Sequence, residues 1–280
     1  MIPPPREKPS PESEPTAQPE ELTDAEAKAR LRALSRRGFT VAALATAGTF
    51  LGWRWLLRGA RQEDGAAWPL RRALETNEQI SSSLFSQRQL APTFPREAAE
   101  EPRPNGRYGL EDEDFVLEEW RLNVEGIAAG TLELELSALR ALPRFEMTTE
   151  FKCIEGWSTI ANWTGVRFAD FARAYPPATR SGRPFDPART EDAPPYVAME
   201  TPDGEYYVGL DSASALHSQT LLAWELNGAP LSPEHGAPLR LVIPVKYGIK
   251  NIKRIGTIAW STQRPADYWA EQGYDWFAGL

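Results

Sequence analysis

The sequence predicts an α+β body of mixed β-sheets and short helices. Three observations carry this. Short stretches that alternate apolar and polar residues recur between residues 120 and 260, as half-buried strands do. Gly, Pro and Asp-Gly signals separate them at irregular intervals, with no fixed repeat. Ten tryptophans among 280 residues, with 41% hydrophobic residues overall, call for a well-packed core. The formal net charge of −8 excludes a nucleic-acid binder, which needs a basic face. The single cysteine, Cys153, cannot close an intramolecular disulfide, so cysteine usage says nothing about redox compartment.

Taken in order, residues 2–20 are rich in Pro and Glu with almost nothing apolar, and a disordered tail is expected over 1–34. Residues 35–58 begin with Ser-Arg-Arg-Gly-Phe-Thr and continue as an apolar run from Phe39 to Leu57, interrupted only by Arg54. This pattern resembles a twin-arginine export signal and predicts a signal or membrane-anchor helix; the other reading is an amphipathic surface helix. Residues 59–110 show no sustained period and are expected to lie as an extended arm, with a short helical turn at 81–90. The globular body is expected over 111–280.

Within the body, Trp120 to Val124 reads as a strand turned by Glu125-Gly126, and Leu132 to Leu142 as a strand entering a short helix stopped by Pro143. Phe145 to Cys153 has strand propensity, which puts Cys153 at a strand end, where sites are often built. Residues 167–175 carry Phe168, Phe171 and Ala172 on one helical face. Residues 194–210 read as a hairpin turned at Asp203-Gly204, and Leu216 to Trp224 as a short helix. Leu239 to Val245 and Ile255 to Trp260 read as strands.

Cys153 is a buried apolar residue, a nucleophile or a metal ligand. Lys246, Lys250 and Lys253 fall in one run of an acidic chain, which suggests either an anion site or a strand edge guarded by charge. Taken with the string Cys153-Ile154-Glu155-Gly156-Trp157-Ser158, then Trp163-Thr164-Gly165, His235-Gly236-Ala237-Pro238-Leu239-Arg240 and Lys246 through Lys253, this order resembles the sulfite-oxidase-fold molybdenum enzymes. It is most similar to the catalytic subunits of bacterial periplasmic protein-methionine-sulfoxide reductases.

The resemblance implies a sulfite-oxidase-type fold binding molybdopterin, with Cys153 as the protein sulfur ligand to molybdenum and the catalytic residue. It also implies cofactor contacts from Asn105, Tyr108, Gly109, Thr201, His235, Arg240, Asn251, Ile252 and Lys253. The chemistry is consistent: a thiolate suits a high-valent metal, and Arg240 offers a planar fork for a phosphate. The arginine pair that sulfite oxidases carry shortly after the cysteine is replaced here by Gly156-Trp157-Ser158, which argues against sulfite. A sulfite-oxidase-type dimer is not expected. The expected function is oxygen-atom transfer outside the cytoplasmic membrane, reducing a small or protein-bound sulfoxide; the alternatives are an oxidase or dehydrogenase of sulfite or another small substrate, or a non-catalytic module on the same fold. Membrane attachment through the N-terminal helix and electrons from a haem-bearing membrane subunit are the expected partnerships.

Overall fold

The computed structural model describes residues 43–55, 62–63, 66–187 and 189–280. The chain divides between Gly59 and Ala60. In the first unit the described part is one helix, α1, over residues 43–55, with Leu44, Phe50, Leu51, Trp53 and Trp55 exposed. Among the described residues no helix is long and apolar enough to cross a membrane, so the expected anchor helix is not shown. The tail at 1–34 and the arginine pair at 36–37 lie outside the described residues.

The second unit opens with the paired strands β1 (Gln62–Glu63) and β2 (Ala66–Ala67) and the helix α2 (Trp68–Leu84). Pro69 fits the first turn of α2, where its missing N–H has no partner to lose. This helix corrects the expected extended arm and the turn at 81–90. Its one buried residue is Arg71, whose guanidinium donates to the carbonyls of Ala270 (2.7 Å) and Tyr274 (3.3 Å). An arginine stem therefore faces the body where an apolar stripe normally would, and the hydrophobic period stays silent. Beyond α2 the chain follows an irregular path over the body: Ala91 exchanges two hydrogen bonds with the Gln219 amide (2.7 and 2.9 Å), and Phe94 N–H donates to the Thr148 carbonyl (3.0 Å).

Two five-stranded sheets follow. One has the order β4-β3-β12-β7-β8, from β3 (Leu122–Ile127), β4 (Gly130–Leu134), β7 (Tyr196–Glu200), β8 (Tyr207–Asp211) and β12 (Thr257–Ser261). Only the β12–β3 pairing is parallel. The other contains β5 (Arg144–Lys152), β6 (Ser158–Arg167), β9 (Leu221–Leu226), β10 (Ala229–Pro230) and β11 (Arg240–Val242), with β9 central. Short helices connect them: α3 (Leu136–Arg140), α4 (Phe168–Ala174), α5 (Ser212–Ala215) and α6 (Tyr268–Glu271).

The main core joins both sheets and α4: Leu122, Val197, Leu210 and Ile258 meet Val166, Leu222 and Phe171. A smaller cluster, with Met147, Trp163 and Leu221, lies on the other face of the β9 sheet. β9 is buried on both faces. A bulge opposite Thr164/Gly165 then shifts its register, so Leu226 joins the face of Leu221 and Ala223.

The body thus has the expected α+β character, and the strands or helices read at 120–124, 132–142, 145–153, 167–175, 194–210 and 255–260 are present within a few residues. One element differs in kind. The run from Leu216 to Trp224 is not a helix; α5 ends at Ala215 and β9 begins at Leu221. A strand buried on both faces has no alternation to distinguish it from a buried helix. The strand expected over 239–245 is shorter, because Pro244 has no N–H to donate to a ladder.

Candidate functional site

Cys153 is placed by a tight hairpin between β5 and β6. Its N–H donates to the Trp157 carbonyl (2.9 Å) and its carbonyl accepts from Gly156 N–H (3.1 Å). Gly156 sits at φ +89°, a left-handed conformation that L side chains resist, so Ile154-Glu155-Gly156 forms a turn closed by a glycine bulge. The thiol is buried and lines a cavity of about 240 Å³. Burial pushes the Cys153 thiol above its ordinary range, and the Glu155 carboxylate adds to this. The side-chain amide of Asn105 donates to the sulfur at 3.6 Å.

Two cations line the same cavity, one buried and one half-buried. Arg240, on β11, donates to the carbonyls of His235 (3.2 Å) and Asn251 (3.3 Å), and its guanidinium stacks 4.7 Å from the Trp163 ring centre. Lys253 donates to the carbonyls of Asn105 (2.6 Å), Gly106 (3.0 Å) and Glu234 (2.8 Å). Neutral carbonyls satisfy the hydrogen bonds but do not cancel the charge. Burial therefore pulls Arg240 down to about 10 and, with the Arg240 charge adding, Lys253 down to about 7. An anion in the cavity would reverse both shifts.

Of the expected site residues, Asn105, Tyr108, Cys153, Arg240, Asn251 and Lys253 line this cavity. Asn251 also organises the loop: its side chain accepts from Ile243 N–H (2.8 Å) and donates to the Tyr247 carbonyl (3.2 Å). The other four stand behind the lining. Gly109, at φ +69°, presses on Thr201, where any Cβ would collide. The Thr201 hydroxyl bonds Asp203 (2.5 Å) and accepts from Tyr206 N–H (3.1 Å), building the β7–β8 turn. His235 reaches Arg240 through its carbonyl, and its imidazole is held toward the neutral form by burial and the charges of Arg240 and Lys253. Ile252 is fully buried in the main core, and its carbonyl accepts from Leu241 N–H (2.9 Å).

The lysine run divides. Lys253 turns to the cavity, whereas Lys246 and Lys250 are buried beside Asp211 and Asp267. Local basic density in the sequence therefore overstates the charge facing an anion. Sequence reasoning also missed the aromatic lining: Phe151, Tyr206, Trp269 and Tyr274. The tyrosines and tryptophan form a contiguous network with Tyr108, with ring centres 5.0 to 6.2 Å apart. The aromatic density after residue 268 was the available signal, though nothing in it points toward Cys153.

Among the described residues no cluster of three or more His, Cys, Asp or Glu side chains could hold a metal ion. A metal bound at Cys153 must therefore bring most of its ligands with it. One soft sulfur donor beside two cations that form no ion pair among the described residues fits a group that carries its own metal ligands and a phosphate.

Residues 110–269 match the family described as "Oxidoreductase molybdopterin binding domain". A protein of Azospira oryzae provisionally named a protein-methionine-sulfoxide reductase subunit is 35% identical over 205 residues, covering 72% of this chain and 73% of that protein. The protein-methionine-sulfoxide reductase catalytic subunit of Xanthomonas campestris pv. campestris is 35% identical over 156 residues, 55% of this chain and 48% of that subunit. The solved sulfane dehydrogenase of Paracoccus pantotrophus aligns with a TM-score of 0.45 at 17% identity, over 64% of this chain and 46% of that one.

Proposed function

Because the chain belongs to the oxidoreductase molybdopterin-binding domain family and is a molybdenum-cofactor oxidoreductase, we propose that it reduces a sulfoxide by two-electron oxygen-atom transfer, with Cys153 as the protein ligand to molybdenum. The observation that carries this reading is the meeting of Cys153, Arg240 and Lys253 in one cavity with aromatic lining. The cofactor, when bound, supplies the two-electron redox chemistry and accepts the oxygen atom.

The chain's own residues bind and orient. Cys153 gives up its proton to become a thiolate ligand, and Asn105 donates a hydrogen bond to the sulfur. Arg240 and Lys253 would hold the cofactor phosphate, with Trp163 stacked on the guanidinium and Asn251 fixing the loop. Gly109, Thr201, His235 and Ile252 support these groups from behind. Tyr108, Tyr206, Trp269 and Tyr274 offer an apolar, neutral surface that suits an uncharged sulfoxide better than a sulfite dianion. In the net reaction the sulfoxide oxygen leaves as water, taking two protons and two electrons, and the sulfur is left as a thioether.

We further propose that a haem-bearing membrane subunit supplies the electrons outside the cytoplasmic membrane. This rests on the names of the two relatives, which are subunits, and on the export-like string at residues 35–40. The test is steady-state turnover of the molybdenum-loaded chain in two assays, methionine sulfoxide with a reduced viologen dye as electron donor and sulfite with oxidised cytochrome c as electron acceptor. Consumption of methionine sulfoxide with no turnover of sulfite supports the reading. Sulfite oxidation without sulfoxide reduction overturns it.

A further inference from the structure

Lys250, expected only as part of the basic run, and Asp267, expected at no site, are both almost wholly buried and ion-paired. Lys250 also donates to the Gly209 carbonyl (2.9 Å), and its ammonium lies 4.7 Å from the Trp276 ring centre. The Asp267 carboxylate is shared among three elements. One oxygen caps α6 by accepting from Ala270 N–H (3.0 Å); the other accepts from Gly209 N–H on β8 (3.1 Å) and from Lys250.

What the pair joins is specific. Lys250 closes the turn Gly248–Lys250, whose Gly248 and Ile249 line the cavity and which leads into Asn251, the brace of Arg240. Asp267 begins α6, whose Trp269 lines the same cavity. The turn also seats directly on the strand end that presents Cys153: a Cβ on Gly248 would lie 2.6 Å from the Phe151 ring. A second tie runs the same way, from the Tyr206 hydroxyl to the Ile249 carbonyl (2.6 Å).

A buried ion pair adds little net stability over well-packed apolar residues, so stability alone does not account for placing one between these two segments. We propose that Lys250 and Asp267 are positioning residues: their ion pair clamps the cofactor-cradling turn to the aromatic lining and so fixes the access and shape of the cavity at Cys153. This rests on reading the cavity as the cofactor site, and the test separates the two.

Cys153 is the only cysteine, so a thiol reagent reports on this cavity alone. In cofactor-free full-length chain, iodoacetamide labelling is compared between the parent and Lys250→Met/Asp267→Asn, which removes both charges and keeps an oxygen to cap α6. Labelling is read well below each protein's own urea midpoint. The expected result is a near-parental midpoint with labelling at least tenfold faster. Parental labelling at a near-parental midpoint overturns the proposal and leaves the pair a structural feature. If the double variant does not fold, Lys250→Met alone carries the test, since Asp267 can protonate; faster labelling supports the clamp and a parental rate overturns it. Molybdenum content of the parent from a cofactor-competent host tests the underlying reading separately, because the labelling requires no cofactor.

Discussion

Lys253 is half-buried and makes three hydrogen bonds to backbone carbonyls, and the nearby Glu234 carboxylate offsets its charge only in part. Its replacement should therefore act on the cofactor more than on the fold. Lys253→Met is expected to leave the urea midpoint of the cofactor-free chain almost unchanged. Cofactor retention should fall about tenfold to a hundredfold, the loss of one charge-assisted hydrogen bond; pterin fluorescence of the gel-filtered protein measures it. The individual site residues were legible where the chemistry is local. Cys153, Arg240 and Lys253 stand in strings whose residue types fit the roles proposed for them. Tyr206 and Trp269 were not legible, because an aromatic residue reads the same in a core and in a cavity lining, and only the pairing of β7 with β8 and the docking of α6 bring them to Cys153.

At the scale of elements, the β5–β6–β9 arrangement sets where the thiol points, and two glycines show how. Gly156 has open space around it but a φ of +89°, so Gly156→Ala should cost about 1–2 kcal/mol from conformation alone. Gly165 has an ordinary φ but no room: a Cβ would strike the Leu222 carbonyl across the sheet. Gly165→Ala must spread β6 from β9, and it should cost about 3 kcal/mol or more, at the upper end of overpacking. Urea denaturation of both variants checks the order; equal costs would contradict this account. Elements that expose one face were readable from sequence, β7 among them. Those that do not follow that rule were not: β9 is buried on both faces, and α2 docks through Arg71.

Across the whole molecule, buried lysines make the stability of the cofactor-free body depend on pH. Burial drags Lys246 to about 7 from its ordinary 10.5, despite Asp211 at 3.5 Å and the Phe277 ring 2.8 Å from the ammonium. Below pH 7 both folded and unfolded chains carry the charge, and the burial penalty is present in full. Between pH 7 and 10.5 the folded chain sheds a proton that the unfolded chain keeps. Unfolding free energy should therefore rise with pH in that window, by up to about 1.4 kcal/mol per unit for this group. Lys246→Met should flatten that rise in a urea series from pH 7 to 10, and an unchanged slope would contradict it. The α+β class was legible at this scale from the recurrence of short strands, and the grouping of those strands into two sheets was not, because it depends on the distant β12–β3 pairing. The central claim is that Cys153 holds molybdenum in the cavity with Arg240 and Lys253. X-ray absorption at the molybdenum edge, on full-length chain from a cofactor-competent host, tests it most directly. The account predicts about one molybdenum per chain, with a protein sulfur ligand lost in Cys153→Ala. A parent chain without molybdenum, or a Cys153→Ala variant with an unchanged sulfur shell, would contradict it.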